Sequence, residues 1–172
     1  DSMGIGSSYI NIAQVLESQN KLDEALQSYK KALPILGAIG DKYGIGVALS
    51  SIGNVYTIKK NYEAALDNYT RSLRIRKECN DKQGQAECYN GIGKVYLEKK
   101  KYKEALECQL QSLRLQEITG TKKGLALTYL NLGDISEKMK DYPKAAEYYK
   151  KALTISTEIN SRDAIRDSYQ YL

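Results

Sequence analysis

Polar side chains recur at forty-residue intervals along the chain, and amides are the commonest type among them. The recurring set consists of Asn11, Gln14, Ser50, Asn54, Thr57, Asn90, Lys94, Asn131 and Asp134. An asparagine or glutamine side chain carries both a donor and an acceptor, so it can pair with the backbone of an extended peptide without selecting its sequence. The alternative interpretation is that these residues form only the solvated face of amphipathic helices, which is polar whatever the function.

The composition excludes most catalytic machinery. The 172 residues include no histidine, which removes Ser/His/Asp and Cys/His nucleophile systems and histidine-ligated metals. Three Gly-Ile-Gly triplets lie inside or at the start of helical patterns with no strand before them, so they do not indicate a phosphate-binding loop. Carboxylates such as Glu17 and Glu137 would need separated pKa values in a closed pocket to act as an acid–base pair. The sequence therefore predicts no enzyme activity, no catalytic residue, no metal and no cofactor.

Cysteine usage and charge define the expected environment. Three cysteines without CxxC spacing, Cys79, Cys88 and Cys108, predict free thiols in a reducing compartment. The net charge of +5 is spread along the chain, unlike the clustered footprint of a nucleic-acid binder. The densest basic stretch, residues 99–103, falls at an expected turn and is interpreted as a solvated loop. No apolar run approaches a membrane span, and the first residues lack signal-peptide features. We expect a cytoplasmic protein with no nucleic-acid and no membrane partner.

A forty-residue repeat organises the whole chain and carries the polar set. Four glycines mark equivalent positions, and the segments between them align: Gly4, Gly44, Gly84 and Gly124. Self-similarity at a fixed period is the signature of a repeat architecture. Residues 1–172 are therefore predicted to form one array. Its units are 4–43, 44–83, 84–123 and 124–163, and residues 164–172 begin a further helix.

Each unit is predicted to contain two helices. In the second unit, apolar residues recur at spacings of three and four over residues 45–56 and again over 62–73, the pattern of two amphipathic helices. One shared position holds residue types that close a helix in the left-handed conformation: Gly40, Asn80, Gly120 and Asn160. The next position holds side chains able to cap the following helix: Asp1, Asp41, Asp81, Thr121 and Ser161. Between the two helices of a unit, Asn61 and Asp141 are expected to cap well, and Lys21 and Lys101 poorly.

One proline breaks the helical pattern, and small residues explain the stacking. Pro34 removes a backbone hydrogen bond and collides with the carbonyl of Lys30, which predicts a kink or an early helix end. Small residues share one position on each helix of the unit and allow close approach: Gly53, Gly93, Gly133 and Ala13, with Ala25, Ala65, Ala105 and Ala145. Large tyrosines fill the flanks at Tyr29, Tyr69 and Tyr149. Gln109 replaces the tyrosine in the third unit, where looser packing is expected.

These residues resemble the tetratricopeptide repeat, in a forty-residue form. The positions of the family's succession of small residue, aromatic, alanine, aromatic and alanine hold Gly53, Tyr56, Ala65, Tyr69 and Ser72 in the second unit. The Leu-Gly-Asn subtype, which kinesin light chains resemble, is similar as well. Ile52-Gly53-Asn54 and Leu132-Gly133-Asp134 carry its core. The likeness covers essentially the entire chain.

The resemblance implies an all-α fold, a right-handed superhelical solenoid of antiparallel helix pairs whose first helices line a concave groove. In that geometry the nine recurring polar residues face the groove. The implied function is a protein–protein interaction scaffold that binds a peptide or a partner helix there. The alternative is a regulatory or sensor module of a longer signalling protein. A clamp for acidic tails is not expected, because Ile10 and Gln14 replace its basic residue and asparagine. Uncovered array ends favour self-association.

Overall fold

Eight α-helices make up the computed structural model, which describes the backbone of residues 2–169 and the side chains of residues 4–160. No strand occurs in this part of the chain. The helices are α1 (Ser2–Ser18), α2 (Leu22–Ala38), α3 (Lys42–Ile58), α4 (Tyr62–Glu78), α5 (Lys82–Glu98), α6 (Tyr102–Thr119), α7 (Lys122–Lys138) and α8 (Tyr142–Tyr169). The prediction of an all-α solenoid built from antiparallel helix pairs is confirmed.

The order of packing separates the helices into two layers. Each odd-numbered helix packs against the even-numbered helix that follows it, and each even-numbered helix packs against the next odd-numbered one. Successive odd-numbered helices also contact one another, whereas successive even-numbered helices do not, over the residues that the structure describes. The layer of α1, α3, α5 and α7 is therefore the more tightly spaced one. We refer to its solvent-facing surface as the inner face.

Every turn before α8 passes through one residue in the left-handed conformation. Between helix pairs these residues are Gly40, Asn80 and Gly120, with φ of 71°, 55° and 67°, so these three predictions are confirmed. The turns inside the pairs follow the same geometry at Asn20, Lys60, Lys100 and Lys140, with φ between 58° and 64°. Three of these four are lysines, which the sequence did not mark as turn residues. A side chain with a Cβ costs about 1–2 kcal/mol in this conformation.

Side-chain caps begin four of the helices, α3, α4, α5 and α8, as predicted. The carboxylates of Asp41 and Asp81 accept hydrogen bonds from the backbone N–H of the residue three positions later, each at 2.9 Å. Asn61 and Asp141 accept equivalent bonds at 3.2 and 3.3 Å. Lys21 and Lys101 form no cap bond, as expected.

The predicted cap at Thr121 is wrong. Its side chain forms no cap bond, and its hydroxyl lies 3.1 Å from the hydroxyl of Thr119 instead. The other two predicted caps, Asp1 and Ser161, lie outside the residues whose side chains the structure describes.

The helix containing Pro34 does not end early. α2 runs from Leu22 to Ala38, as long as α4, so the expected early end is wrong. On either side of the proline, Ala32 and Leu36 are fully buried. Burying one leucine side chain contributes about 1.5–3 kcal/mol, which is comparable with the penalty of about 3 kcal/mol for an internal proline. Tertiary packing therefore keeps the helix continuous.

The predicted break after the fourth pair is also absent. α8 continues through Asn160 to Tyr169, so a helix end at Asn160 and a separate helix from residue 164 are not observed; residues 170–172 lie outside the described part. Asparagine in a helix interior costs only a fraction of a kcal/mol relative to alanine, about 0.7 at most, so the residue type at position 160 did not by itself require a helix end.

Close contact between tyrosines and small residues holds the pairs together. A methyl group added at Gly53 or Gly91 would lie 2.9 or 2.5 Å from the ring of Tyr69, distances at which the ring would have to move. The four repeated alanines on the even-numbered helices are buried, as predicted: Ala25, Ala65, Ala105 and Ala145. Gln109 is fully buried rather than loosely packed, because its amide donates to the backbone and side-chain oxygens of Asn90.

A buried glutamine at the junction of the third and fourth pairs gives a test of this packing. The Oε1 atom of Gln116 is buried without a hydrogen-bond partner, and Leu36 stands at the same repeat position in the first pair. Gln116→Leu should raise the free energy of unfolding by about 1–2 kcal/mol, because an unpaired buried acceptor is removed. Thermal unfolding followed by circular dichroism should show a Tm about 2–8 °C higher. Gln27→Leu, at an exposed position of α2, is the control and should change Tm little; an unchanged or lower Tm for Gln116→Leu would contradict the prediction.

Candidate functional site

A cavity of about 420 Å³ opens on the inner face and is lined by residues of all four odd-numbered helices. Glu17 comes from α1 and Leu127 from α7. Between them lie residues of α3, α4 and α5: Ser50, Asn54, Thr57, Ile58, Tyr69, Glu87, Asn90, Gly91 and Lys94. We call this space the central cavity. It is the one place where the structure brings most of the recurring polar set together.

The nine polar residues predicted from the sequence divide among several locations. Five of them line the central cavity: Ser50, Asn54, Thr57, Asn90 and Lys94. Gln14 lines a smaller cavity of about 230 Å³, which shares Ser50, Asn54 and Glu87 with the central one. Asp134 lines a separate cavity near the ends of α5 and α7. Asn131 and Asn11 line none of these three cavities. Asn131 donates to Asn90, and Asn11 is exposed on α1.

Tyrosine hydroxyls from the even-numbered helices reach through to the inner face and hold its polar side chains. Tyr69 donates to Oδ1 of Asn54 at 2.6 Å and lies 3.4 Å from the hydroxyl of Thr57. In the first pair, Tyr29 donates to Glu17 at 3.0 Å. In the fourth, the hydroxyl of Tyr149 lies 2.8 Å from Asp134 and 3.0 Å from Glu137. The same ring position therefore orients the inner face in three of the four pairs.

These contacts decide which way two asparagine amides point. Because Oδ1 of Asn54 accepts from Tyr69, its NH₂ group is the end left for a ligand. Oδ1 of Asn90 accepts from Gln109 at 3.2 Å and from Asn131 at 2.6 Å. No hydrogen bond within the described residues uses the Nδ2 atom of Asn54 or Asn90. Both amides thus present donors to the central cavity.

A buried arginine supports the floor of the site, and the sequence analysis did not identify it. Arg76 of α4 is 3% exposed. It donates to the hydroxyl of Ser50 at 3.1 Å and forms salt bridges with Asp81 and, at 3.7 Å, with Glu87. The guanidinium therefore links α3, α4 and α5. It also shows that the hydroxyl of Ser50 is already paired, so Ser50 is part of the support rather than a free contact.

Burial and nearby charge set the titration of the tyrosines. Burial raises the pKa of Tyr69 from 10.0 to about 12, and the negative charge of Glu17 adds to this effect. Burial likewise raises the pKa of Tyr29 to about 12. Each hydroxyl is consequently protonated at neutral pH and acts as a donor to the inner face. The charged groups lining the central cavity are two carboxylates, Glu17 and Glu87, and one ammonium group, Lys94.

The site offers binding groups rather than reactive ones. Within the described residues, no three His, Cys, Asp or Glu side chains are grouped so that they could hold a metal ion. Over the same part of the chain, no helix has both the length and the apolar character that crossing a membrane requires. Hydrogen-bond donors, opposite charges and two exposed apolar side chains, Ile58 and Leu127, are what a ligand would meet.

Tyr69 and Arg76 hold side chains of the inner face in place, and the sequence analysis assigned neither of them to that face. One signal was available for the tyrosine: the chain has 15 tyrosines and no phenylalanine, which indicates that the hydroxyl matters and not only the ring. No comparable signal marks Arg76, because its partners Ser50 and Glu87 lie 26 and 11 positions away along the chain and no short motif joins them.

Comparison with known proteins agrees with this architecture. Three family models, each described as a tetratricopeptide repeat, match residues 6–34, 44–118 and 126–156. No curated protein sequence matches the chain. Among solved structures, BtubC (BKLC) from P. vanneervenii superposes with a TM-score of 0.81 at 20% identity, over 93% of this chain and 66% of that one. The chain therefore spans just under two thirds of the length of this relative.

Two further structures are similar over still smaller parts of their length. Aspartyl phosphate phosphatase F from Bacillus subtilis has a TM-score of 0.88 at 15% identity, over 93% of this chain and 42% of that one. A Signal Transduction ATPase with Numerous Domains from Pyrococcus horikoshii, described as having a tetratricopeptide repeat sensor, has a TM-score of 0.80 at 22% identity. The match covers 97% of this chain and 26% of the ATPase. The TM-scores establish a shared fold, and at identities this low the similarity shows the fold alone.

The raised pKa of Tyr69 predicts a loss of stability in alkali. The fold favours the protonated phenol, so this contribution is fully present below pH 10 and is lost as the pH rises towards about 12. Ionisation of Tyr69 should lower the free energy of unfolding by about 2–3 kcal/mol. Tyr69→Phe should unfold at pH 7 with about 1 kcal/mol less free energy, because the bond to Asn54 is missing. It should also show a flatter decline between pH 10 and 12 in urea unfolding followed by circular dichroism.

The exposed Tyr43 supplies the control. Tyr43→Phe should keep both the neutral stability and the alkaline decline of the unmodified chain. An identical decline in the chain and in Tyr69→Phe would show that Tyr69 is not the group responsible.

Proposed function

Because the chain belongs to the tetratricopeptide repeat family, we propose that it is a protein-interaction scaffold that binds a peptide or partner helix along its inner face. The observation that carries this proposal is the central cavity, to which α1, α3, α5 and α7 all contribute side chains. Stacked repeats characteristically present such extended surfaces to a partner. The proposal assigns no catalytic step to the chain and places it in the cytoplasm, where the three free cysteines would remain reduced.

The geometry suggests how an extended segment would be held. The amides of Asn54 and Asn90 would donate to two backbone carbonyls, since their oxygens are already occupied within the protein. Lys94 would pair with a carboxylate of the ligand. Ile58 and Leu127, which are 54% and 51% exposed, would cover an apolar side chain. Backbone contacts of this kind give affinity, and the side-chain pockets give selectivity.

Rigid support is part of the proposal, because a preorganised surface loses less entropy when it binds. The hydroxyl of Tyr69 holds Asn54 at 2.6 Å. Gln109 and Asn131 hold Asn90. On this view Gln14 and Asp134, which line the two other cavities, extend the surface beyond the central cavity in both directions.

Peptides selected from a random library on the immobilised chain provide the test. Asn54→Ala/Lys94→Ala should weaken the Kd of selected peptides by about tenfold or more, because two charged or directional hydrogen bonds are lost. Isothermal titration calorimetry measures the change. Gln27→Ala/Lys150→Ala removes similar groups from exposed positions on α2 and α8 and should leave Kd within about twofold. Unchanged binding by the inner-face variant would refute the assignment of the site.

A second function is favoured by the lengths of the similar structures. The chain covers 26% of the ATPase that is described as having a repeat sensor and 42% of the phosphatase. In this alternative, ligand binding on the same inner face would regulate an effector rather than assemble a complex. Both functions use the central cavity, so the peptide experiment tests the site and an effector assay would tell them apart.

Self-association is proposed for the bare face of α1. Ile12 and Val15 are 50% and 55% exposed. The equivalent residues of the later pairs pack against the preceding even-numbered helix, and none of them is more than 8% exposed: Ile52, Ile92, Leu132, Val55, Val95 and Ile135. The matching surface of α8 leaves Leu153 68% exposed. We propose that α1 of one copy packs against α8 of another, which is a head-to-tail contact and so extends rather than closes.

Sedimentation velocity at increasing protein concentration tests this contact. The chain should show a growing average mass, and Ile12→Glu should shift the association by about tenfold or more in concentration, because a charge would be buried in the contact. Ile118→Glu, at an isoleucine of α6 that is 63% exposed, should associate like the unmodified chain. A concentration-independent monomer would rule out the proposed contact.

A further inference from the structure

The turns inside the four helix pairs bring an unusual number of lysines to one side of the solenoid. These turns are at residues 19–21, 59–61, 99–101 and 139–141, between the paired helices. Lys59 of the second turn forms a salt bridge with Asp23 at the start of α2, and Lys100 of the third turn lines one cavity with Lys138 beside the fourth, so neighbouring turns lie side by side. The exposed lysines in and beside the last three turns are Lys60, Lys99, Lys100, Lys103, Lys138 and Lys140. We call these six residues the basic edge.

The lysines of the basic edge are unpaired. None of the six forms a salt bridge within the part of the chain that the structure describes. On the opposite side, at the turns between pairs, Lys42 is bound to Glu78 at 2.9 Å and Lys122 to Glu158. Both sides of the array therefore hold paired lysines, since Lys59 and Lys101 pair with Asp23 and Glu104 beside the basic edge. What distinguishes the edge, over the described residues, is its six lysines without a carboxylate partner.

Backbone conformation adds an independent observation. Lys60, Lys100 and Lys140 occupy the left-handed position of their turns, with φ of 58°, 58° and 64°. The first turn has Asn20 at this position, and the turns between pairs have glycine or asparagine, the residue types that tolerate it. Lysine is sterically disfavoured there, and these side chains contribute no salt bridge in return. Strain retained at an exposed position points to a role outside the fold.

We propose that the basic edge binds an acidic segment of a partner protein, running across the turns of the last three pairs. The precedent is in the chain itself, where Lys59 already holds the carboxylate of Asp23 on this side. Clusters of lysines separated by one repeat suit carboxylates spaced along a protein segment. This surface is distinct from the central cavity and does not rest on the function proposed for it.

The chemistry of the edge favours an acidic protein over nucleic acid. Carboxylates interrupt the row at Glu98, Glu104 and Asp141, and these would repel a continuous phosphate backbone. The edge segments contain no arginine, the residue best suited to bidentate phosphate binding. Of the three tyrosines that follow the turns, Tyr62 packs against the core, Tyr102 is only partly exposed and Tyr142 is 62% exposed. One exposed ring does not make a row of stacking platforms for bases.

Fluorescence anisotropy with a labelled oligoglutamate peptide tests the proposal. Lys100→Asn/Lys140→Asn removes two charges and places at both turns the residue that the first turn uses. Affinity for the peptide at low salt should fall by roughly fivefold or more, while Tm should rise by about 2–4 °C. Opposite changes in binding and stability exclude misfolding as the cause of weaker binding.

The matched control removes the same charge from the other side. Lys82→Asn/Lys123→Asn, at exposed and unpaired positions of α5 and α7, should stay within about twofold of the unmodified chain in affinity. Equal losses of peptide affinity in both double variants would show that binding depends only on net charge, and would overturn the proposal. No binding of oligoglutamate, or tighter binding of single-stranded DNA or phosphatidylserine vesicles, would overturn it as well. A fall in Tm for Lys100→Asn/Lys140→Asn would show that the two lysines are not strained at these positions, and would count against the proposal.

Discussion

The close approach of tyrosine rings to glycines is the contact on which the rest of the structure depends. The ring of Tyr69 lies so near Gly53 and Gly91 that a methyl group at either position would collide with it. Because α3 and α5 both approach the same ring, the contact sets the spacing of three consecutive helices. It also carries the hydroxyl of Tyr69 to Asn54 on the inner face. One packing contact thus fixes both the stacking of the pairs and the orientation of a binding group.

The third pair shows what happens when that contact is replaced. Gln109 takes the place of the tyrosine, and Asn131 of α7 stands at the repeat position that Gly91 occupies on α5. The buried amide then needs hydrogen-bond partners, and it finds Asn90, which also accepts from Asn131. One acceptor of Gln109 remains unpaired, so the polar arrangement satisfies its groups less completely than the aromatic one. The stacking survives because each pair in a solenoid contacts mainly its neighbours.

Local rules accounted for the helices and most of their ends, whereas longer-range contacts decided the remainder. The caps at Asp41 and Asp81 and the glycine turns follow from residue type alone. The continuity of α2 through Pro34 depends on the burial of Leu36, which no local pattern expresses. Of the nine polar residues that the period selected, five line one cavity. The period could not show that the hydroxyl of Ser50 is occupied by Arg76, because that contact joins residues 26 positions apart in neighbouring helices.

The two surfaces are built under different physical constraints, which explains how both fit on a small repeat. Inner-face residues lie on helices whose opposite sides are packed, so Asn54 is held by Tyr69, which is itself confined by two glycines. Turn residues such as Lys100 are constrained only by a backbone torsion and have exposed side chains. Changing a turn residue therefore alters charge without moving a helix. In a repeat of this design, the charge of the turn residues can change while the geometry of the inner face stays the same.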